Sequence, residues 1–145
     1  MRILGLDVGE KRIGIAISDE LCFTANGLDV IERKNNGEDI NKIGEIVSKY
    51  NVTKIVTGLP KNMDGTLGHS GKEVEKYAKK LQNTLGVEVD FWDERLTTVA
   101  AERTLIEADV SRKKRKTVID KLAAVFILQS FLDFKSRVDS RKELL

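Results

Sequence analysis

Leu4-Gly5-Leu6-Asp7-Val8-Gly9-Glu10-Lys11-Arg12-Ile13-Gly14-Ile15-Ala16-Ile17-Ser18-Asp19 is the stretch that decides the fold of this 145-residue chain. Two runs of strand-forming residues, Ile3 to Val8 and Arg12 to Ser18, flank a short turn, the pattern of a β-hairpin. Asp7 interrupts an otherwise apolar run, and a carboxylate in such a place must be paired, protonated or bound to a cation. Gly5 and Gly9 leave room beside it, and Gly9 suits the turn. The plain alternative is an edge-strand aspartate that caps its own turn.

Outward from the hairpin, Leu21 to Val30 offers a third extended run, and the polar stretch from Glu32 to Gly37 a loop. Ile40, Ile43, Ile46 and Val47 recur at helical spacing, predicting an amphipathic helix over Glu38 to Lys49. Lys54 to Thr57 is a short fourth strand, followed by a loop from Gly58 to Gly68 that holds the single proline, Pro60. Val74, Tyr77, Ala78, Leu81 and Leu85 mark a second helix, stopped by Gly86. Val87 to Trp92 is a fifth strand, residues 98–107 a third helix, and Thr117 opens a strongly apolar last helix whose charged tail frays from Ser136. Strands joined by tight turns imply an antiparallel half; strands separated by helices imply parallel neighbours with right-handed crossovers. The expectation is one α/β domain over residues 1–145, a mixed five-stranded sheet flanked by helices.

Composition narrows the function classes. No apolar run reaches the roughly 20 residues that a membrane helix needs, and Met1-Arg2-Ile3 leads straight into a strand pattern without a signal-peptide layout. Cys22 is the single cysteine, which points to a reducing compartment, the cytoplasm, and its strand-like surroundings predict a buried inert thiol. The net charge of +2 hides an asymmetry: residues 109–145 hold 10 basic and 5 acidic side chains. Half of those basic residues are consecutive, Arg112-Lys113-Lys114-Arg115-Lys116, predicting a basic loop that contacts a polyanion or is merely solvated.

In an open α/β sheet, sites form at the carboxyl ends of parallel strands. Asp7 lies near the end of the first strand, Glu94 just past the end of the fifth, and Asp120 in the first turn of the last helix. With the first strand central and the fourth beside it, these acids would share one edge. Three gathered carboxylates repel unless a divalent cation neutralises them, and Mg²⁺ takes such oxygen ligands. Each acid has a structural alternative. Asp120 stands three residues after Thr117, the spacing of a helix cap; Glu94 has bases nearby to pair with; Asp93 competes as a ligand in the same turn.

Asp7-x-Gly9-x-Lys11-Arg12-Ile13-Gly14, Gly58-Leu59-Pro60 with Asn62-x-Asp64-Gly65-Thr66, Asp93-Glu94-Arg95-Leu96-Thr97-Thr98, and Ile119-Asp120-x-x-Ala123-Ala124 resemble, in order, the four signature blocks of the YqgF (RuvX-like) family. The resemblance spans nearly the whole chain. It implies a ribonuclease-H-like fold and a catalytic and metal-binding set falling on Asp7, Glu94 and Asp120. It implies nuclease activity, directed at the 5′ end of the 16S rRNA precursor or, alternatively, at four-way DNA junctions. Two Mg²⁺ or Mn²⁺ ions roughly 3.5–4 Å apart would then serve phosphodiester hydrolysis, with Asp7 bridging them. Lys11, Arg12 and the run Arg112, Lys113, Lys114, Arg115 and Lys116 are the expected contacts to structured RNA or branched DNA. Arg95 has two open roles, a phosphate contact or a buried salt bridge. His69, the lone histidine, is placed in a loop near the edge, as a proton shuttle or with no role. The expected assembly is a monomer or a weak homodimer. Two readings of other classes compete: an actin-like ATPase, whose Asp-x-Gly hairpin cradles phosphates but which needs two domains, and a non-catalytic nucleic-acid-binding protein.

Overall fold

The hairpin is the centre of the sheet. In the computed structural model, which describes residues 1–96 and 112–144, β1 (Arg2–Val8) pairs antiparallel with β2 (Arg12–Ser18), Asp7 opposite Gly14. The Gly9 N–H donates to the Arg12 carbonyl at 2.9 Å and closes the turn. On one side β3 (Ala25–Glu32) pairs antiparallel with β2; on the other β4 (Val52–Leu59) pairs parallel with β1, and β5 (Glu88–Asp93) parallel with β4. The strand order is β3-β2-β1-β4-β5, which puts Asp7 on the central strand. The sequence-based expectation of a mixed five-stranded sheet holds.

Alternation along the strands sends two sets of side chains to two layers. Leu4, Leu6, Ile13, Ile15 and Ile55 pack against Ile40 and Ile43 of α1 (Asn36–Lys49) and Tyr77 and Leu81 of α2 (His69–Leu85). Ile3, Ala16 and Val56 pack on the opposite face against Ala123, Ala124, Ile127, Leu128 and Leu132 of α3 (Arg112–Leu144). Small residues on that second face let α3 lie close to the sheet. A Cβ at Gly5 would stand 2.7 Å from the Leu128 Cβ, and one at Gly14 would overlap the Asp120 carbonyl. None of the helices among the described residues is long and apolar enough to cross a membrane.

Local chemistry sets most boundaries. Asn35 caps α1, its side chain accepting the Glu38 N–H at 2.9 Å. Gly86 ends α2 in the left-handed conformation at φ 67°. Four expectations need correction. The third strand begins at Ala25 rather than Leu21, because the Asp19 carboxylate accepts the N–H groups of Phe23 (2.7 Å) and Thr24 (3.0 Å) and holds a turn. Those bonds, the one from Thr24 first, keep the Asp19 carboxyl below the usual carboxylate range. Cys22 sits in that turn at φ 59°, half-buried, not in a strand. The last helix spans Arg112–Leu144, so the basic run is helical rather than a loop. No Gly or Pro falls between those ends, and Lys, Arg, Leu and Ala are good helix formers. Asp120 therefore lies in the helix interior, and the capping alternative for Thr117 and Asp120 falls away. The helix expected over residues 98–107 lies outside the described residues.

Gly14→Ala is expected to push α3 off the sheet and destabilise the fold by about 1–3 kcal/mol or more, since overpacking against backbone cannot be relieved by a rotamer change. Gly86→Ala, with no atom within 4 Å of the new Cβ but φ positive, is expected to lose only about 1–2 kcal/mol. Urea unfolding midpoints of the two variants give the comparison.

Candidate active site

At the carboxyl edge of β1, three neighbouring strand positions form a row. Asp7 has Gly14 of β2 on one side. On the other it has Gly58 of β4, the step after the Leu6 and Thr57 partners. Gly5 and Ile3, two and four residues before Asp7, face α3, so the Asp7 side chain stands on that same face. Each flanking glycine makes space for another acid. The Asp120 backbone occupies the position that a Gly14 Cβ would take. The Glu94 Oε1 lies 2.7 Å from where a Gly58 Cβ would be. Glu94 is delivered there by a single 3₁₀ turn, Glu94–Leu96, that follows β5. The fold thus brings Asp7, Glu94 and Asp120 onto one row from a strand, a turn and a helix.

The charges are partly met within the chain. The Arg12 Nε donates to the Asp120 Oδ2 at 2.8 Å, with the two side chains 21% and 22% exposed. Among the described residues no three Asp, Glu, His or Cys side chains surround one point as a closed metal cage would. The donor set nevertheless fits a hard divalent cation: the oxygens come from carboxylates, and Mg²⁺ characteristically takes only one or two of these, completing its shell with water and phosphate. Gly9, Glu10, Lys11, Arg12 and Asp120 border a shallow depression, so Lys11 and Arg12 share a surface with Asp120.

Arg95 is not in a buried bridge. It is an exposed fork on Asp93, with Nη2 to Oδ2 at 2.7 Å and Nε to Oδ1 at 3.1 Å, and it reaches the Met63 carbonyl at 3.4 Å. The Arg95 hydrogen bonds hold the Asp93 carboxyl below its usual range, and the competing acid is thereby committed to structure. Met63 belongs to the loop after β4, which is folded on itself by Asp64 accepting the Thr66 hydroxyl at 2.6 Å and its N–H at 3.0 Å. Those two bonds depress the Asp64 carboxyl. His69 is corrected from the loop to the first residue of α2. The side chains of residues 112–118 fall outside the described residues; Lys116 precedes Asp120 by one helical turn.

A second group of residues was not anticipated from sequence. Arg33 fastens the hairpin tip: its Nη1 donates to the Gly9 carbonyl at 2.7 Å and its backbone N–H to the Lys11 carbonyl at 2.8 Å. The same guanidinium donates to the Asn36 Oδ1 at 3.1 Å, lies 3.5 Å from the Oδ2 of the buried Asp39, and covers the Tyr77 ring at 4.9 Å. The signal available was Asp39 itself, an acid next to Ile40 on the apolar face of α1. The Tyr77 hydroxyl is buried and makes no hydrogen bond among the described residues. Burial, reinforced by the Asp39 charge and partly offset by Arg33, pushes the phenol up to about 12.

That shift has a direction in pH. Below the ordinary phenol value of 10.0 both folded and unfolded chains keep the proton; above it only the unfolded chain releases it, so stability declines from there to about 12. Tyr77→Phe is expected to flatten this alkaline decline and, by removing a buried hydroxyl without a partner, to leave stability at neutral pH equal or higher by about 1 kcal/mol. Urea titrations at neutral and alkaline pH measure both; parallel pH profiles for the two proteins would contradict it.

Comparison with known proteins agrees with the fold. The chain shares its fold with Thermus thermophilus RuvC in complex with a Holliday junction substrate, at TM-score 0.61 and 13% identity over 95% of this chain and 96% of that one. A second Thermus thermophilus RuvC structure aligns at TM-score 0.53 with 12% identity, covering 94% and 96%. Relatives include a Bacillus mycoides protein named "Putative pre-16S rRNA nuclease", 60% identical over 139 residues that cover 93% of this chain and 100% of the relative. A Clostridioides difficile protein of the same name is 57% identical over 134 residues, covering 92% and 95%. The family model described as "RuvX: Holliday junction resolvase" matches residues 1–134, and the chain belongs to that family.

Proposed function

We propose that this chain is a divalent-metal-dependent nuclease that hydrolyses phosphodiester bonds and processes the 5′ end of the 16S rRNA precursor. The observation that carries the proposal is the row of Asp7 between two glycines, with Glu94 against one and the Asp120 backbone against the other. Bringing three acidic residues to one sheet edge costs charge repulsion, which favours a cation-binding role over stability alone. Asp7, Glu94 and Asp120 would hold Mg²⁺ or Mn²⁺, in one or two sites, and a bound ion would supply Lewis-acid stabilisation for in-line displacement at phosphorus. Arg12 holds the Asp120 carboxylate at 2.8 Å and keeps it on the edge. Lys11, at the exposed tip, and the helical run Arg112 to Lys116 bind backbone phosphates and give affinity that weakens with salt. Arg95, chelated by Asp93, acts at most through its exposed face. The substrate assignment is supported by the name carried by the Bacillus and Clostridioides relatives. The single cysteine supports a reducing compartment, the cytoplasm.

A junction resolvase is the second reading, favoured by the description of the family. It would need two active sites on one junction and hence a dimer. An Mn²⁺-dependent assay offering precursor rRNA, single-stranded RNA and a DNA junction side by side separates the two; cleavage of the junction in preference to the precursor would replace the first reading with the second. In the same assay Asp7→Asn is expected to lower cleavage by about a thousandfold, the loss of several kcal/mol of charge stabilisation, while binding of the nucleic acid stays near wild type. Unchanged cleavage by the variant would end the nuclease proposal.

A further inference from the structure

On the face of the sheet opposite α3, a groove of about 660 Å³ runs from the hairpin tip past the start of α1 and along α2 from His69 to Lys80. Gly9 and Glu10 border this groove and also the depression beside Asp120, so the two surfaces meet at the hairpin tip. The fixed charge of the groove is cationic. Five basic side chains, Arg33, Lys34, Lys76, Lys79 and Lys80, line it against three acids: the buried Asp39 pairs with Arg33 at 3.5 Å, Glu73 makes a solvent-exposed contact with Lys76 at 3.7 Å, and Glu10 stands exposed at the tip. Lys34, Lys79 and Lys80 line it and make no ion pair among the described residues. His69 and Ser70 add the first turn of α2, whose N-cap Gly68 offers no side-chain acceptor to its N–H groups, an end suited to an anion. Beneath them, the buried Tyr77 hydroxyl has no hydrogen-bond partner among the described residues, an unsatisfied polar group at the base of a charged cleft.

Resting on the nuclease reading above, we infer that this groove is a second substrate contact: a single-stranded segment of the RNA passes from the carboxylate edge over Lys11 at the hairpin tip and lays its phosphates against Lys34, Lys79 and Lys80. A cavity of this volume holds a ligand of about nucleotide size, so it takes one strand and not a duplex. The order of contacts follows from the shared border at Gly9 and Glu10. The groove therefore selects substrates that carry a single-stranded extension next to the scissile bond, such as a precursor end, over fully paired ones.

The test uses the whole chain and a fluorescently labelled single-stranded RNA of mixed sequence, with Mg²⁺ replaced by Ca²⁺ so that binding alone is read. Lys34→Glu/Lys79→Glu/Lys80→Glu is compared with Lys42→Glu/Lys49→Glu/Lys72→Glu, which reverses the same number of charges outside the groove; circular dichroism verifies that both are folded. The groove variant is expected to bind about tenfold or more weakly, with the slope of log affinity against log salt shallower by about 2, three phosphates at roughly 0.7 each for a single strand. The control variant is expected to lose less than half of that slope change. Equal losses in the two variants, or no loss in the groove variant, would overturn the groove assignment. Absence of cleavage by the wild-type protein in Mn²⁺, with groove-dependent binding intact, would instead overturn the nuclease reading and leave the binding surface standing.

Discussion

Everything at the carboxylate edge depends on how near α3 can come to the sheet. A helix normally rests about 10 Å from a sheet it covers, held off by side chains on both surfaces. Here Gly5 and Gly14 remove the side chains from one surface, and the α3 backbone at Asp120 descends into the space. The register then does the rest. Gly14 is the cross-strand partner of Asp7, so the same absence of a Cβ that seats the helix also sets Asp120 beside the central-strand acid. Packing and chemistry are not separable at this point, because the atoms that would relieve one would displace the other.

The second determinant is charge. Acids that gather on one edge raise the energy of the fold unless something opposes them. In this chain Arg12 opposes Asp120 directly, from the same hairpin that carries Asp7. The pair is only partly buried, so its contribution to stability is modest, of order 1 kcal/mol after solvent screening. Its larger effect is on geometry: a guanidinium on the rim fixes which way one carboxylate points.

Much of the fold was legible because its signals are local. The Gly9 turn, the apolar alternation from Ile3 to Ser18, the helical spacing of Ile40 and Ile43, and the Gly86 stop each act within a few residues. The errors came where a local signal competed with another. Five consecutive basic residues suggested a loop by self-repulsion, yet with no glycine or proline nearby the helix absorbs them. Leu21 to Thr24 reads as strand by side chain, but Asp19 captures two backbone amides and bends it. Asp7 and Glu94 could be named from their places at strand ends, whereas Asp120 was expected in a first helical turn and stands in the helix interior. The acids' contact with glycines across the sheet could not be named, since it depends on strand order. Nor could Arg33, whose partners lie on the hairpin tip, on α1 and on α2, and whose role exists only once those three are assembled.

The Arg33 clasp carries a consequence for how this surface responds to its medium. Its central ion pair involves a carboxylate that is 1% exposed, where mobile ions hardly penetrate, whereas the lysines on the groove rim stand in solvent. Ionic strength therefore acts on the two unequally. Raising it strips a bound polyanion from the rim while the tip that presents Lys11 and Arg12 keeps its shape. Grip and aim are decoupled: the molecule can let go of a strand without losing the alignment needed for the next one.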